Sequence, residues 1–364
     1  MRAAVLWSQG DPLSVEEVEL SPPGPGEVLV EVKAAGVCHS DLHPARGDWK
    51  MRTPVVLGHE GAGIVREIGA GVTALEPGDH VVFCWTPSCG QCPSCADHRP
   101  VLCDRLDQTT YRNKLPSGES RMRARDQALA PFLSTACFAQ QTVVAQEGAV
   151  RVSRDVPFDV LASLGCAVLT GMGAVTNAAK VPAGATVVVI GAGGVGLNVV
   201  QGAVMAGSAR VIAVDPQPAA LALATTFGAT DVVPSGDAAV ATIRELTRGR
   251  GADFVFDTVG APATIADALA SSKKGGTVIV TGLSRTDAQA SVSMFPFVMQ
   301  EKTLIGSVYG SGQPARDIPR LVAQFQSGAL KLKELVARRY RLDDINDALD
   351  ALAAGTGARG VILM

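Results

Sequence analysis

Four cysteines, Cys89, Cys92, Cys95 and Cys103, form a C-x2-C-x2-C-x7-C run among turn residues, a spacing that lets four thiolates converge on one ion. Four thiolates with no open position are the donor set of structural zinc, held tetrahedrally and stabilising the loop that carries it. The hydrophilic neighbours Ser88, Gln91, Ser94 and Asp97 argue against four buried, unliganded thiols. An iron–sulfur cluster is the competing occupant. Its closely spaced cysteines are similar, but the last gap here is longer than in the bacterial ferredoxin run, and a colourless protein excludes it.

A second chemical element is Gly191-Ala192-Gly193-Gly194-Val195-Gly196, which follows the apolar run Thr186 to Ile190 and opens a helical stretch towards Ala206. A bare G-x-G-x-x-G carries little weight, but strand before, helix after and acid downstream together mark a dinucleotide site. Gly191 permits the tight turn, Gly193 lets the backbone approach a pyrophosphate, and Gly196 lets helix and strand pack closely. The helix N-terminus then offers unpaired amides and its positive dipole end to the phosphates. Asp215 ends the next strand, about twenty residues on, where a carboxylate accepts hydrogen bonds from the adenosine ribose. The following Pro216, Gln217 and Pro218 supply no cation for a ribose phosphate, which favours NAD over NADP.

These groups need elements to hold them. At 364 residues the chain exceeds what one hydrophobic core usually serves, so two domains are expected. With 47% hydrophobic residues, 18% charged residues and 39 glycines, it reads as a well-packed globule rich in turns. The first part alternates turns such as Pro22 to Gly26 and Pro77-Gly78-Asp79 with strand-like runs at Val28 to Lys33, Ile64 to Ile68 and His80 to Phe83, which predicts a β-rich domain. From Thr186 strands and helices alternate: Thr186 to Ile190, Arg210 to Val214, Val232-Val233, Phe254 to Asp257, Thr277 to Val280 and Thr303 to Ile305. This predicts a doubly wound parallel sheet. The tail offers helices near Ala315 to Phe325 and Asp343 to Ala353 and a last strand, Val361 to Leu363, and is expected to return to the first domain.

No apolar run reaches membrane-spanning length, and the start lacks the pattern of a signal peptide, so a cytoplasmic location is expected, with the eight cysteines kept as thiols. The net charge is −3. Arg112, Lys114, Arg121, Arg123 and Arg125 form a basic stretch diluted by Glu119 and Asp126, read as a solvated loop and not as a nucleic-acid site.

Cys38, His59 and Cys166 are further metal-ligand types, but they stand too far apart for spacing to join them. Gly36-Val37-Cys38-His39-Ser40-Asp41-Leu42-His43, Gly58-His59-Glu60-Gly61-Ala62-Gly63, the four-cysteine loop and the glycine motif, in order and across the whole chain, resemble the zinc-containing medium-chain alcohol dehydrogenases. The resemblance implies an α/β fold: a GroES-like β-rich catalytic domain over 1–167 and 309–364, and a doubly wound Rossmann domain over 168–308. It implies two zinc ions per chain, with Cys38, His59 and Cys166 holding the catalytic one and leaving a fourth position open; Cys2His is the set known for alcohol dehydrogenase. Zinc lowers the pKa of bound water from ~15.7 to about 7, and the same Lewis acidity eases deprotonation of an alcohol before hydride passes to NAD.

By the same resemblance Ser40 receives the alcohol proton and passes it by way of the nicotinamide ribose to His43. Asp41 orients His59, and Glu60 is the acid near the zinc. His39, Thr170 and Arg359 join the glycine motif and Asp215 as cofactor contacts, Arg359 at the pyrophosphate. His39 stands where well-known members carry arginine, and Ala220 replaces a lysine that touches the adenosine ribose. Both departures remove cationic contacts, so NADH is expected to leave readily. They weigh against the family subset that retains its cofactor and needs an external acceptor.

Trp49, Trp85, Phe132 and Leu133 fall at the substrate channel, and such apolar walls favour benzylic or medium-chain primary alcohols. Trp49 and Asp107 stand where glutathione-dependent formaldehyde dehydrogenases carry an acid and an arginine, which disfavours that activity. The long insert between Cys103 and Cys166 favours a homodimer. Two other readings compete: a polyol or sugar dehydrogenase, which needs more hydroxyl-pairing groups, and a zinc-stabilised NAD-binding sensor, which has no use for Cys38, Ser40, His43, His59 and Cys166 together.

Overall fold

A computed structural model describes residues 1–355 and 359–364. The chain forms two compact units, Met1–Cys166 with Gln313–Met364, and Ala167–Gly312. The divisions thus lie at 166/167 and 312/313, against the 167/168 and 308/309 expected from sequence.

The first unit is built on Glu27–Gly36, a strand whose side chains are buried at nearly every position. A strand buried on both faces must satisfy its backbone with neighbours. Here it pairs antiparallel with Glu60–Ile68, Gln141–Ala145 and Arg359–Leu363. The sheet runs Ala149–Val152, His80–Phe83, Glu60–Ile68, Glu27–Gly36, Arg359–Leu363, Val336–Arg341. Gln313–Met364 belongs to this unit, and within it Val336–Arg341 is a strand that its charged sequence concealed. Register decides where the strand ends meet. Gly36 pairs with Glu60, and Val361 with Gly36, so the ends of three strands come together beside Val37 and Cys38. A Cβ on Gly36 would lie 2.4 Å from the Glu60 carboxylate, so glycine here leaves room for that buried side chain.

A second sheet, Ser14–Glu17, Arg2–Leu6, Val55–Val56, Gln127–Pro131, Met122–Ala124, Glu19–Leu20, completes the unit. Within 112–125, expected as a solvated loop, Met122–Ala124 is a strand of this sheet; Arg112, Lys114, Arg123 and Arg125 are exposed, and two of the basic side chains pair with distant acids. Arg121 Nε donates to the buried Glu27 at 2.8 Å, while Arg125 pairs with Glu16 and lies 4.3 Å over the Trp7 ring. Those partners are 94 and 109 residues away, beyond any local reading of charge.

The second unit holds six parallel strands, β1 (Thr186–Ile190), β2 (Arg210–Asp215), β3 (Asp231–Pro234), β4 (Ala252–Asp257), β5 (Ser272–Val280) and β6 (Thr303–Gly306). Their order is 3-2-1-4-5-6, the doubly wound arrangement expected. Val188 and Ile190 of β1, Ile212 and Val214 of β2 and Val255 of β4 are buried together, β-branched residues suited to a covered parallel sheet. Helix α1, Gly194–Met205, follows β1 directly.

Candidate active site

Cys38 lies two residues beyond the end of Glu27–Gly36, and His59 immediately before Glu60–Ile68, so the strand register brings both to one edge of the sheet. Cys166 closes the first unit and joins them. Ligand atoms of Cys38, His59, Glu60 and Cys166 lie within 4.8 Å of one another, and all four residues are buried. His59 Nδ1 is 2.9 Å from Asp41 Oδ1, whose carboxylate also accepts from the Gly58 and Cys38 amides at 3.0 and 3.2 Å. A carboxylate in that position fixes the proton on Nδ1 and turns the Nε2 lone pair inward. Nε2 is buried and has no hydrogen-bond partner. An orphaned nitrogen facing two thiols is what a cation should satisfy, and two sulfurs with one imidazole suit zinc. A hydrogen bond with Cys166 draws the Cys38 thiol well below its ordinary range, helped by the Arg359 charge; that bond and burial push Cys166 up. Such a thiol pair is prepared to exchange its proton for a metal.

Glu60 belongs to this cluster, but Arg359 holds it. Arg359, only 4% exposed, pairs with Glu60 Oε1 at 2.5 Å and donates to Val37 O at 2.8 Å, with Cys38 Sγ at 3.6 Å. Burial raises the Glu60 carboxyl, and the Arg359 charge opposes that rise.

The helix His39–Arg46 starts at Cys38, its N-cap. Ser40 and His43, three apart, share a face. Asp41, in the first turn, points instead into the core. His43 Nδ1 is 3.1 Å from Asp48 Oδ2, and its ring stacks on Trp49 with centroids 4.9 Å apart. Phe132 meets His59 edge-on at 5.8 Å. Trp85 is buried, and Leu133 is half-buried in a left-handed backbone conformation, φ 47°. His39 is exposed. The sequence reading missed Gln9, whose side-chain amide donates to Pro44 O and Trp49 O and accepts from Met51 N at 3.0, 2.7 and 3.1 Å. Its partners lie 35 to 42 residues away, so no local signal marked it.

The four sulfurs of Cys89, Cys92, Cys95 and Cys103 also lie within 4.8 Å of one another. Amides of Gln91 and Cys92 point at Cys89 Sγ at 3.4 and 3.3 Å, and these bonds bring that thiol down to about 6. The Cys89 amide points at Cys103 Sγ at 3.2 Å. Amides directed at sulfur stabilise thiolates, and four such sulfurs could close around one metal ion without room for substrate.

In the second unit Gly191 takes φ 91°, and a Cβ on Gly196 would sit 1.8 Å from Gly191 O, so helix and turn touch through glycine. A Cβ on Gly193 would meet nothing within 4 Å. Gly193 therefore leaves open space at the start of α1, where Gly194, Val195 and Gly196 present the helix's first amides. Asp215 accepts from the amides of Ala192 at 2.8 Å and Gln217 at 2.9 Å, which anchors the turn to β2. Thr170 is buried in the helix Ala167–Gly173, whose Gly171 packs closely against the backbone of Val195.

No single helix among the described residues is long and apolar enough to cross a membrane. The alcohol dehydrogenase GroES-like domain family matches residues 24–154, and the zinc-binding dehydrogenase family matches residues 194–327. The chain is 42% identical to the NDMA-dependent alcohol dehydrogenase of Amycolatopsis methanolica, covering 100% of this chain and 98% of that protein. It is 39% identical to alcohol dehydrogenase B of Mycobacterium tuberculosis, over 99% and 97% of the two chains. Among solved structures, benzyl alcohol dehydrogenase from Acinetobacter calcoaceticus superposes with a TM-score of 0.94 at 32% identity, covering 100% and 99%.

Proposed function

Because the chain belongs to the zinc-type medium-chain alcohol dehydrogenases, and is thus a zinc-dependent oxidoreductase acting on small-molecule alcohols, we propose that it oxidises benzylic or medium-chain primary alcohols with NAD as hydride acceptor. The observation that carries this reading is the buried Cys38–His59–Cys166 cluster, with the free Nε2 of His59 turned inward and the Phe132 ring against the imidazole. These three residues would hold the catalytic zinc, which supplies Lewis acidity for deprotonating an alcohol. Asp41 keeps His59 in the ligating tautomer. Arg359 restrains Glu60 beside the cluster and keeps its charge paired. Ser40 accepts the alcohol proton, and His43, on the same helical face, delivers it to solvent; Asp48 and Trp49 hold the imidazole in place. Trp49, Trp85, Phe132 and Leu133 line the substrate channel and leave few groups to pair with polyol hydroxyls.

Gly191 to Gly196, Asp215, Thr170 and His39 bind NAD, and Asp215 repels a ribose phosphate. By the family resemblance Arg359 is a further candidate contact for the pyrophosphate. The Cys89–Cys103 loop carries the second, structural zinc. A homodimer is supported by the outer edge of β6 and by exposed Met294, Phe295, Val298 and Met299 on the preceding helix. Eight cysteines, none of them in a disulfide and six of them proposed zinc ligands, support a cytoplasmic location.

Initial rates of NADH formation across benzyl, aliphatic and polyol alcohols, with zinc measured on the same preparation, test the reading. Turnover of polyols above benzyl alcohol would overturn the pocket. A second reading comes from the 42% identical relative named for NDMA: the nicotinamide stays bound and an external acceptor reoxidises it. Nucleotide that co-purifies with the protein, with turnover on NDMA and none on added NAD, decides for it.

A further inference from the structure

The geometry points to Asn113 as the residue that sets the shape of the alcohol pocket, by tying together the two chain segments that carry its walls. The inference rests on Trp49, Phe132 and Leu133 being walls of that pocket. Leu133 has φ 47° and ψ 37°, and Ser134 and Ala136 are also left-handed, with φ 59° and 52°. None of these is glycine, and a Leu side chain does not hold this conformation unaided, because its Cβ crowds the adjoining carbonyl. Something outside the segment must impose it.

That constraint comes from the turn Thr110–Arg112 and the Asn113 that ends it. Asn113 Oδ1 accepts from Leu133 N at 3.1 Å. One residue on, Ser134 Oγ donates to Lys114 O at 2.7 Å and lies 3.0 Å from Thr110 Oγ1. Asn113 is itself left-handed, φ 54° and ψ 51°, which asparagine tolerates better than most residues. Its other amide end, Nδ2, points at Met51 Sδ at 3.8 Å, two residues beyond Trp49. Trp49, Met51, Phe132 and Leu133 all pack on one hydrophobic cluster. The two ends of a single carboxamide thus join the Trp49–Met51 loop to the Phe132–Leu133 turn. Asn113 is 8% exposed, so water does not readily replace either contact. Without it Leu133 is free to relax from the left-handed region and carry its side chain out of the pocket wall. Asn113 is a positioning residue for substrate choice.

The test compares Asn113→Gly, which keeps the left-handed backbone accessible and removes both contacts, with Asn113→Asp, which keeps the acceptor for Leu133 N. In the zinc-loaded enzyme, kcat and KM are measured for benzyl alcohol and 1-butanol. We expect Asn113→Gly to change the benzyl-to-butanol ratio of kcat/KM by about tenfold, mainly through KM, and Asn113→Asp to stay within about threefold of wild type. A ratio within about twofold of wild type in Asn113→Gly, or an equal loss of kcat on both alcohols, overturns the inference. Phe132→Ala and Leu133→Ala run in parallel. If they shift the ratio and Asn113→Gly does not, the positioning role fails alone; if none shifts it, the pocket reading itself has failed. Should Asn113→Gly not fold, Asn113→Ser, whose side chain is too short for both contacts, carries the same expectation.

Discussion

Asp41 and His59 are joined by a buried 2.9 Å hydrogen bond between Oδ1 and Nδ1, and that bond leaves His59 Nε2 as an unsatisfied donor to a metal. The carboxylate is completely buried, and burial raises it against the hydrogen bond from His59. Removing it releases the ring to rotate and to exchange tautomers.

Asp41→Ala is therefore expected to weaken zinc at the catalytic site by about 10–100-fold while the four-cysteine site keeps its ion. Chelator competition followed by metal analysis reads this as one easily lost and one retained zinc per chain. Unchanged retention of both would mean that Asp41 does not orient the ligand.

Cys103→Ser should have the opposite signature. Its sulfur receives the Cys89 amide within the closed set, and three thiolates hold zinc less well than four. The variant is expected to bind about one zinc per chain and to unfold at a lower temperature. Full zinc content at the wild-type midpoint would rule out a structural role for this site.

Asp215→Asn tests the nucleotide reading. The amide oxygen can still accept from Ala192, although the NH2 cannot accept from Gln217, and the negative charge proposed to face the ribose is gone. We expect KM for NAD to rise about tenfold and discrimination against NADP to shrink. Kinetics with both nucleotides, benzyl alcohol held saturating, show it; an unaltered preference would place the nucleotide elsewhere.

Asp253, on β4, accepts from the Thr186 amide of β1 at 2.7 Å and pairs with Lys273 of β5 at 2.5 Å. Burial pushes its carboxyl up, but Lys273 and Thr186 outweigh it and hold it below the ordinary 3.8. A depressed folded value stabilises above the unfolded pKa and is lost as pH falls through the folded one. Asp253→Asn should therefore lower the melting midpoint by roughly 1–3 °C at pH 7, a modest shift because the pair is partly exposed. The gap should close as pH falls below about 4. A gap that persists there would assign the effect to packing.

Phe295→Glu places a charge on the exposed face Met294–Met299 beside β6. Light scattering should give a dimer for wild type and a monomer for the variant, with the zinc content of each chain unchanged. A variant that remains dimeric puts the interface on another surface.

Local patterns in the sequence carry much of this protein. The glycine run between an apolar strand and a helix, the acid after the next strand, and the close cysteine spacing each hold their meaning within a few tens of residues. Turn chemistry, helix termini and loop chelation are short-range physics. The alternation of strand and helix likewise predicts the parallel sheet that the structure contains. Other features are made only by folding. Gly36 meets Glu60, and Arg359 reaches Glu60 across 299 residues, because three strand ends share one register. Gln9, Asn113, Arg121 and Arg125 find partners whose distance in sequence leaves no periodicity to detect. Residue types and spacing determined which chemistry the chain could support. Tertiary structure decided which buried charges are paired and which walls are braced, because pairing and packing depend on proximity that only the folded sheet creates.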